Sequence, residues 1–331
     1  MAAQAPNLPV LKPVVKRRRL PATLGPLAVL VVIVAGMTAL NPLFLSTVNL
    51  QNLARQASIL AILAIGETFI ILLGSIDLSI EGNMAISSVI IGLLAANYFN
   101  ENDFGMLAVI LAIVAATVFG FTCGMLHTRL RIPAFMATLG MLYVGMGIGT
   151  YMAKGMNLPL QDPMILSWAR GTTFSIPNLL FFGIGMSALG LVLERYTRFG
   201  RYVMAIGGAE DRAKLAGVPI NRYKVMAFTI AGFFYGVGGV LNTARMGAGA
   251  AQAGALMLFA AITAVAVGGT ALTGGRGGVV QSIIGALIVT AISNGMILAG
   301  VPSIALVAVQ GTIITVAVIL TLDRSKLPYV K

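Results

Sequence analysis

GGVVQSIIGALIVTAISNGMILAGVPSIALVAVQGTIITVAVILTL, residues 277–322, carries no charged side chain. A helix needs about 20 apolar residues to cross a hydrocarbon layer roughly 30 Å thick. The run therefore holds two passes, separated where Gly300, Val301, Pro302 and Ser303 interrupt the helical pattern. No segment alternates in polarity over about ten residues, as a membrane β-strand would. The same character extends through the chain: 58% of its 331 residues are hydrophobic, 10% are charged and the mean hydropathy is +0.94. A soluble core of this length would be covered by far more charge. Reading between charges places further spans near 22–43, 54–74, 79–98, 105–126, 133–152, 178–194, 224–244 and 253–272, with the opening run split into 279–299 and 303–321. The fold class is all-α: a polytopic membrane protein of about ten transmembrane helices, its membrane domain (22–322) lying between a basic arm (1–21) and a short tail (323–331).

The formal net charge is +12, and it is parcelled out loop by loop. Lysine and arginine are retained on the cytoplasmic side of short loops. With the N-terminus inside, all but Arg55, Lys154, Arg170 and Arg245 of the 22 basic residues fall on that side, while Glu101, Asp103 and Asp162 fall opposite. Ten spans with both termini cytoplasmic satisfy this distribution, and retention against anionic lipid accounts for it better than nucleic-acid binding does. The Lys-Arg-Arg-Arg run in 1–21 resembles the start of a secretion signal. The apolar run behind it is longer than a signal core and has no Ala-x-Ala site, so it reads as an uncleaved first span.

Catalytic and metal chemistry find little support. Cys123 is the single cysteine and His127 the single histidine, which excludes a disulfide framework, a Cys-rich metal site and the His pair of an intramembrane metalloprotease. His127 beside Arg129 and Arg131 reads as a helix-end residue. A Ser–His enzyme would need an acid to hold that ring. No G-x-x-x-x-G-K-[ST] cradle occurs, so the chain does not itself hydrolyse ATP. We expect no catalytic residues, no metal and no cofactor.

Against this background FGRYVMAIGGAEDRAKLAGV, residues 199–218, carries five charges in twenty positions. Gly207 and Gly208 break the preceding segment. Gly217 followed by Pro219 is a helix stop, leaving Ala209–Ala216 as a short helix. Glu210 and Asp211 suit its N-terminal dipole, and Glu210 with Lys214 forms an i,i+4 pair. Ala209, Ala213 and Ala216 share one narrow face. Eight residues do not hold a helix in water, where about 12 to 15 are marginal. The segment is either a solvated loop with a helical turn or a cytoplasmic helix docked on a partner.

GRYVMAIGGAEDRAKLAGVPINRYK (200–224) resembles the cytoplasmic loop of permease subunits in ATP-binding-cassette monosaccharide importers of the ribose, xylose and arabinose group. GSIDLSIEGNMAIS (74–87), IPAFMATLG (132–140), GGTALTGGRGG (268–278) and SNGMILAGV (293–301) are similar to further segments of that family, in the same order. The resemblance covers roughly 45–323. It implies a ten-helix subunit paired with a second permease subunit, as a homo- or heterodimer. It also implies two ATPase subunits that bind the ATP, and a periplasmic binding protein that delivers the sugar to a bacterial inner-membrane complex. By the same resemblance 209–216, within the loop 195–223, is the coupling helix received by the ATPase. Gly207, Gly208, Glu210, Asp211, Arg212, Lys214, Leu215 and Gly217 would then form its contact. Two departures stand out: Ala209 replaces a common Asn, removing a capping side chain, and Leu258 and Ala260 stand where relatives often carry acids.

Among the spans, Glu67 is the conspicuous acid. A carboxyl inside a bilayer must be paired or wet, so Glu67 either lines a polar path or bonds a neighbouring helix. Asp77 and Ser79 read as the N-cap of the third span, with Glu81 favourable to its dipole, although the broken backbone there could also line a cavity. Asn294 is a further path candidate. The competing reading is a stand-alone secondary transporter or channel that uses Glu67 and Asp77 as proton-coupled acids. The glycine-dense 268–278 reads as a tight cytoplasmic turn, with a phosphate-binding loop as the alternative.

Overall fold

The computed structural model describes residues 23–302 and isolated positions between 305 and 315. The arm 1–21, the tenth span and the tail expected from the sequence fall outside the described residues. The described chain is mostly helical: α1 (Leu24–Leu40), α2 (Thr47–Leu72), α3 (Ile80–Leu94), α4 (Met106–Arg129), α5 (Ala134–Met152), α6 (Pro163–Arg170), α7 (Asn178–Tyr196), α8 (Arg198–Gly208), α9 (Glu210–Leu215), α10 (Ile220–Met246), α11 (Met257–Val267) and α12 (Val279–Leu298). Among the described residues, six helices (α2, α4, α5, α7, α10 and α12) are long and apolar enough to cross a membrane, and α1, α3 and α11 are shorter apolar helices. Each of the first nine expected spans coincides with one of these nine helices.

The bundle has two ends. At one, the Gly275 amide donates to the Leu72 carbonyl at 2.9 Å, and an added side chain on Gly269 would touch Pro26. Here α2 ends, α1 begins and the α11–α12 turn lies. At the other, the Asn41 side-chain amide donates to the Leu298 carbonyl at 3.2 Å and Arg170 donates to the Met246 carbonyl at 3.2 Å. A two-residue antiparallel ladder there pairs Leu158–Pro159 with Ala248–Gly249. α8 and α9 stand at the first end with the α4–α5 turn.

α2 and α10 are enclosed on nearly all sides, whereas α5 and α7 lie at the periphery. Lipid is as apolar as leucine, so association rests on close packing and on bonds between helices. Glycine supplies the closeness: a Cβ built on Gly232 of α10 would stand 2.9 Å from the Gly120 Cα of α4. The two backbones touch.

Several boundaries differ from expectation. α2 starts at Thr47 rather than at 54, opened by Ser46, whose side chain accepts from the Asn49 amide. α10 starts at Ile220, just after Pro219, rather than at 224. α11 starts at Met257 rather than 253, because 251–256 fold as turns that end at Leu256 with φ +69°. The loop 195–223 holds two helices. α8 buries Phe199, Val203 and Ile206 on one stripe, opened by Thr197, whose Oγ1 accepts from the Gly200 amide. Gly207 and Gly208 therefore do not break the segment before α9. They are its last helical turn, and the break comes at Ala209, which is extended at φ −167°.

Candidate functional site: an exposed elbow and buried acids

α9 is held by both of its ends. Gly217 at φ +79° lets the Gly217 amide reach the Lys214 carbonyl and the Val218 amide reach the Ala213 carbonyl, each at 3.0 Å, a Schellman stop that satisfies two terminal carbonyls. Its N-cap Ala209 makes no side-chain bond. The expected Glu210–Lys214 pair does not form. Both Glu210 carboxylate oxygens instead accept from Lys224 Nζ at 2.9 Å, because α9 folds back on the first turn of α10. The expected small-residue face is also differently used. Ala213 is buried against the protein's own body, Ala209 is half-buried and Ala216 is exposed. The outward surface consists of Asp211, Arg212, Lys214 and Leu215, and Leu215 is 89% exposed. Leu215 is the one large apolar side chain on that outward surface.

Behind the elbow, three backbones meet without side chains. A Cβ on Gly207 would collide with the Leu72 carbonyl and approach the Gly275 nitrogen at 2.8 Å. Gly275 itself abuts Gly208, and Gly274 lies against Gly74 and the Gly207 carbonyl. The end of α8 is thus packed directly against the end of α2 and the α11–α12 turn. The glycine-rich 268–278 accordingly forms a tight packed turn. Several of its amides are spent within the protein, Ala271 on the Arg276 carbonyl, Gly274 on Ala271 and Gly275 on Leu72, with Gly278 on Thr270 Oγ1.

The acids within the spans are all engaged. Glu67 of α2 has no exposed surface. Its carboxyl accepts from the Tyr235 hydroxyl of α10 at 2.8 Å and from the Asp77 amide at 3.4 Å. Asp77 accepts from the Ser79 amide at 2.7 Å, and the Ser79 hydroxyl lies 3.6 Å from the Cys123 sulfur. Ser79 is the N-cap position of α3 but makes no side-chain cap, so Asp77 orders the turn entering α3 rather than capping its helix. Thr138 of α5 steadies the same turn by accepting from the Leu78 amide at 3.0 Å. Asn294 faces Asn49 in a reciprocal amide pair, at 2.8 and 2.9 Å, that ties α12 to α2. Glu67, Asp77 and Ser79 are therefore brought together at the α2–α3 break, and Asn294 stands apart from them.

Several participants carry no signal in the sequence. Lys224 counts there only as one more basic charge, yet it anchors α9. Glu194, near the end of α7, caps another helix by accepting from the Val279 amide at 2.9 Å at the start of α12. Glu81 lies likewise at the Leu256 and Leu258 backbone where α11 opens. Such long-range caps leave no local spacing to read. α8, by contrast, was legible in the Thr197 cap and the Phe199–Val203–Ile206 spacing. At the end remote from α9, a cavity of about 170 Å³ is lined by Thr150, Gly155, Asn157, Ala251 and Gln252, with no charged wall.

The chain is thus a bundle of apolar helices whose buried acids are met by its own segments, with a charged elbow at one end. Residues 49–321 match the family described as branched-chain amino acid transport system / permease component, and the chain belongs to that family. It is similar to the ribose import permease protein RbsC of Bacillus subtilis (35% identity; 92% of this chain and 93% of the relative). It is also similar to the probable ABC transporter permease protein YphD of Escherichia coli (34%; 89% and 88%) and to the fructose import permease protein FrcC of Rhizobium meliloti (33%; 83% and 78%). No solved structure matches. The protein is an ABC-importer permease subunit, multi-pass in the bacterial inner membrane, and not an enzyme. Its family works with ATPase and substrate-binding subunits.

Proposed function

We propose that this subunit forms the path for a monosaccharide, a pentose or similar sugar, delivered by a periplasmic binding protein and driven by ATP hydrolysis on a separate subunit. α9 is the coupling helix. The observation that carries this reading is the elbow itself: Leu215 and its charged neighbours face outward while Gly207 and Gly208 bear directly on α2 and the α11–α12 turn. Closure of an ATPase pair pressing on α9 would be transmitted through that junction. The neutral cavity at the opposite end offers hydroxyl, amide and backbone groups suited to a neutral polyhydroxylated solute. The relatives' names point the same way, to ribose and fructose.

We assign the α9 end to the cytoplasm, because Arg129, Arg131, Arg195, Arg198, Arg201, Arg212, Lys214, Arg222, Lys224 and Arg276 gather there. In this reading α1 starts inside, ten spans bring the C-terminus back inside, and two permease subunits, identical or related, flank the path. The proton-coupled alternative is weakened by the enclosure of Glu67, whose carboxyl is taken up by Tyr235 and the Asp77 amide. Reconstitution with an ATP-binding-cassette ATPase and a sugar-binding protein as partners tests the proposal. Leu215→Asp and the double reversal Glu210→Lys/Asp211→Lys should abolish ATP-driven sugar uptake while the subunit still inserts. Normal uptake by both variants would overturn the role of α9, and uptake by this chain alone under a pH gradient would overturn the importer reading.

A further inference from the structure

A second polar cavity, of about 280 Å³, lies at the α9 end between the C-terminus of α4, the turn into α5 and the first turn of α10. Its polar walls are His127, Thr128, Arg131, Asn221 and Lys224, and no acid lines it. We infer that this cavity binds a phosphate group, brought by an anionic phospholipid or as the free ion, and that its occupant competes with Glu210 for Lys224.

The chemistry is that of an oxyanion site: the Arg131 guanidinium, the Lys224 ammonium and the Asn221 carboxamide line one hollow, while the Thr128 hydroxyl gives its proton to the Gly124 carbonyl at 2.8 Å. The walls are held in place. His127 Nδ1 lies 2.8 Å from the Ile132 carbonyl, which can only accept, so the Nδ1 proton is spent there; the ring serves as a fixed wall, and the anion is left to Arg131, Lys224 and Asn221. The ring also packs at a tilt on Phe228, with centroids 5.9 Å apart. Arg131 adopts φ +56°, a conformation uncommon for a residue with a side chain, and one that marks functional turns. The depth also fits. α4 and α5, both long enough to span, end and begin at this cavity, which places it at headgroup level. Leu130, Phe135 and Met136 beside it are 63%, 54% and 62% exposed, giving acyl chains an apolar surface next to the cations.

Lys224 belongs to both the cavity and the elbow. Its ammonium is held by both Glu210 oxygens, so a phosphate drawing Lys224 inward releases the tie between α9 and α10. Binding stands independently of the role proposed for α9; only the effect on transport rests on it.

The test uses the full chain in nanodiscs, with phosphatidylcholine alone or with added phosphatidylglycerol, and inorganic phosphate titrated into the phosphatidylcholine discs. Bound lipid is read by native mass spectrometry, phosphate by equilibrium dialysis, and α9 by amide exchange across 209–218. Phosphatidylglycerol retention above phosphatidylcholine assigns the site to lipid, and phosphate uptake assigns it to the free ion. In either case Arg131→Gln should weaken binding about tenfold, with Arg131→Lys restoring most of it, and binding should speed exchange in α9. Arg131 is exposed, so the substitution leaves the fold intact, and Asn221→Ala provides a second uncharged probe. Retention of neither ligand, or retention unchanged in Arg131→Gln and Asn221→Ala, overturns the site. Exchange in α9 that ignores the ligand overturns the competition for Lys224.

Discussion

The α2–α3 break and the α8–α9 elbow use the same residue types to opposite ends. In the break, Glu67 and Asp77 are sealed among helices; the Glu67 carboxyl is met by the Tyr235 hydroxyl and the Asp77 amide, and the Asp77 carboxyl by the Ser79 amide of its own turn. In the elbow, Glu210 is half-exposed and paired with one lysine, while Asp211 and Leu215 face outward. Inside a bundle an unmet carboxyl costs far more than at a wet surface, so the first cluster holds the helices in register and the second is free to meet another protein. Stability should therefore reside in the break and transport in the elbow.

Four substitutions test that division, each measured as unfolding free energy in detergent beside ATP-driven uptake. Glu67→Ala should cost the most, about 3 kcal/mol, since it opens a hole and strands the Tyr235 hydroxyl and the Asp77 amide. Gly207→Ala comes next at about 2 kcal/mol, because its methyl meets the Leu72 carbonyl. It should also depress uptake more than Glu67→Ala does at equal amounts of folded protein, since it disturbs the junction behind the elbow. Tyr235→Phe removes one bond and should lower stability by about 1 kcal/mol with uptake near normal. Glu210→Gln should cost well under 1 kcal/mol, an exposed ion pair being worth little, yet reduce uptake severalfold. Equal stability losses in Glu67→Ala and Glu210→Gln would erase the distinction between the two regions.

The elements were legible because their cause is local. Long uncharged runs dictate helices in a bilayer, and the Gly217–Val218–Pro219 stop ended α9 where expected. Asp162 caps α6 in an equally local way, at 2.9 and 3.1 Å, although no helix was expected over 163–170. Partnerships were less legible. Glu210 and Lys214 have the right spacing for a pair, but α10 places Lys224 closer, and a contact between helices overrides one along a helix. The three alanines of α9 do share a face, yet which side that face meets depends on how the helix folds back. Asn294 is visible as a polar residue in a span, and nothing near it names Asn49, 245 positions away.

By itself, then, the sequence determined the class: how many apolar passes to expect, which loops are basic, where glycine ends a helix and that no catalytic machinery accompanies them. These follow from interactions within a few residues, or between each residue and its solvent. Only the tertiary structure decided that Glu67 answers Tyr235, that Glu194 caps α12, that Lys224 belongs both to the elbow and to the polar cavity beside the α4–α5 turn, and that Gly207 touches α2 and the α11–α12 turn at once. Such contacts depend on which helices pack together and at what rotation, a property of the whole bundle that no short stretch of chain encodes.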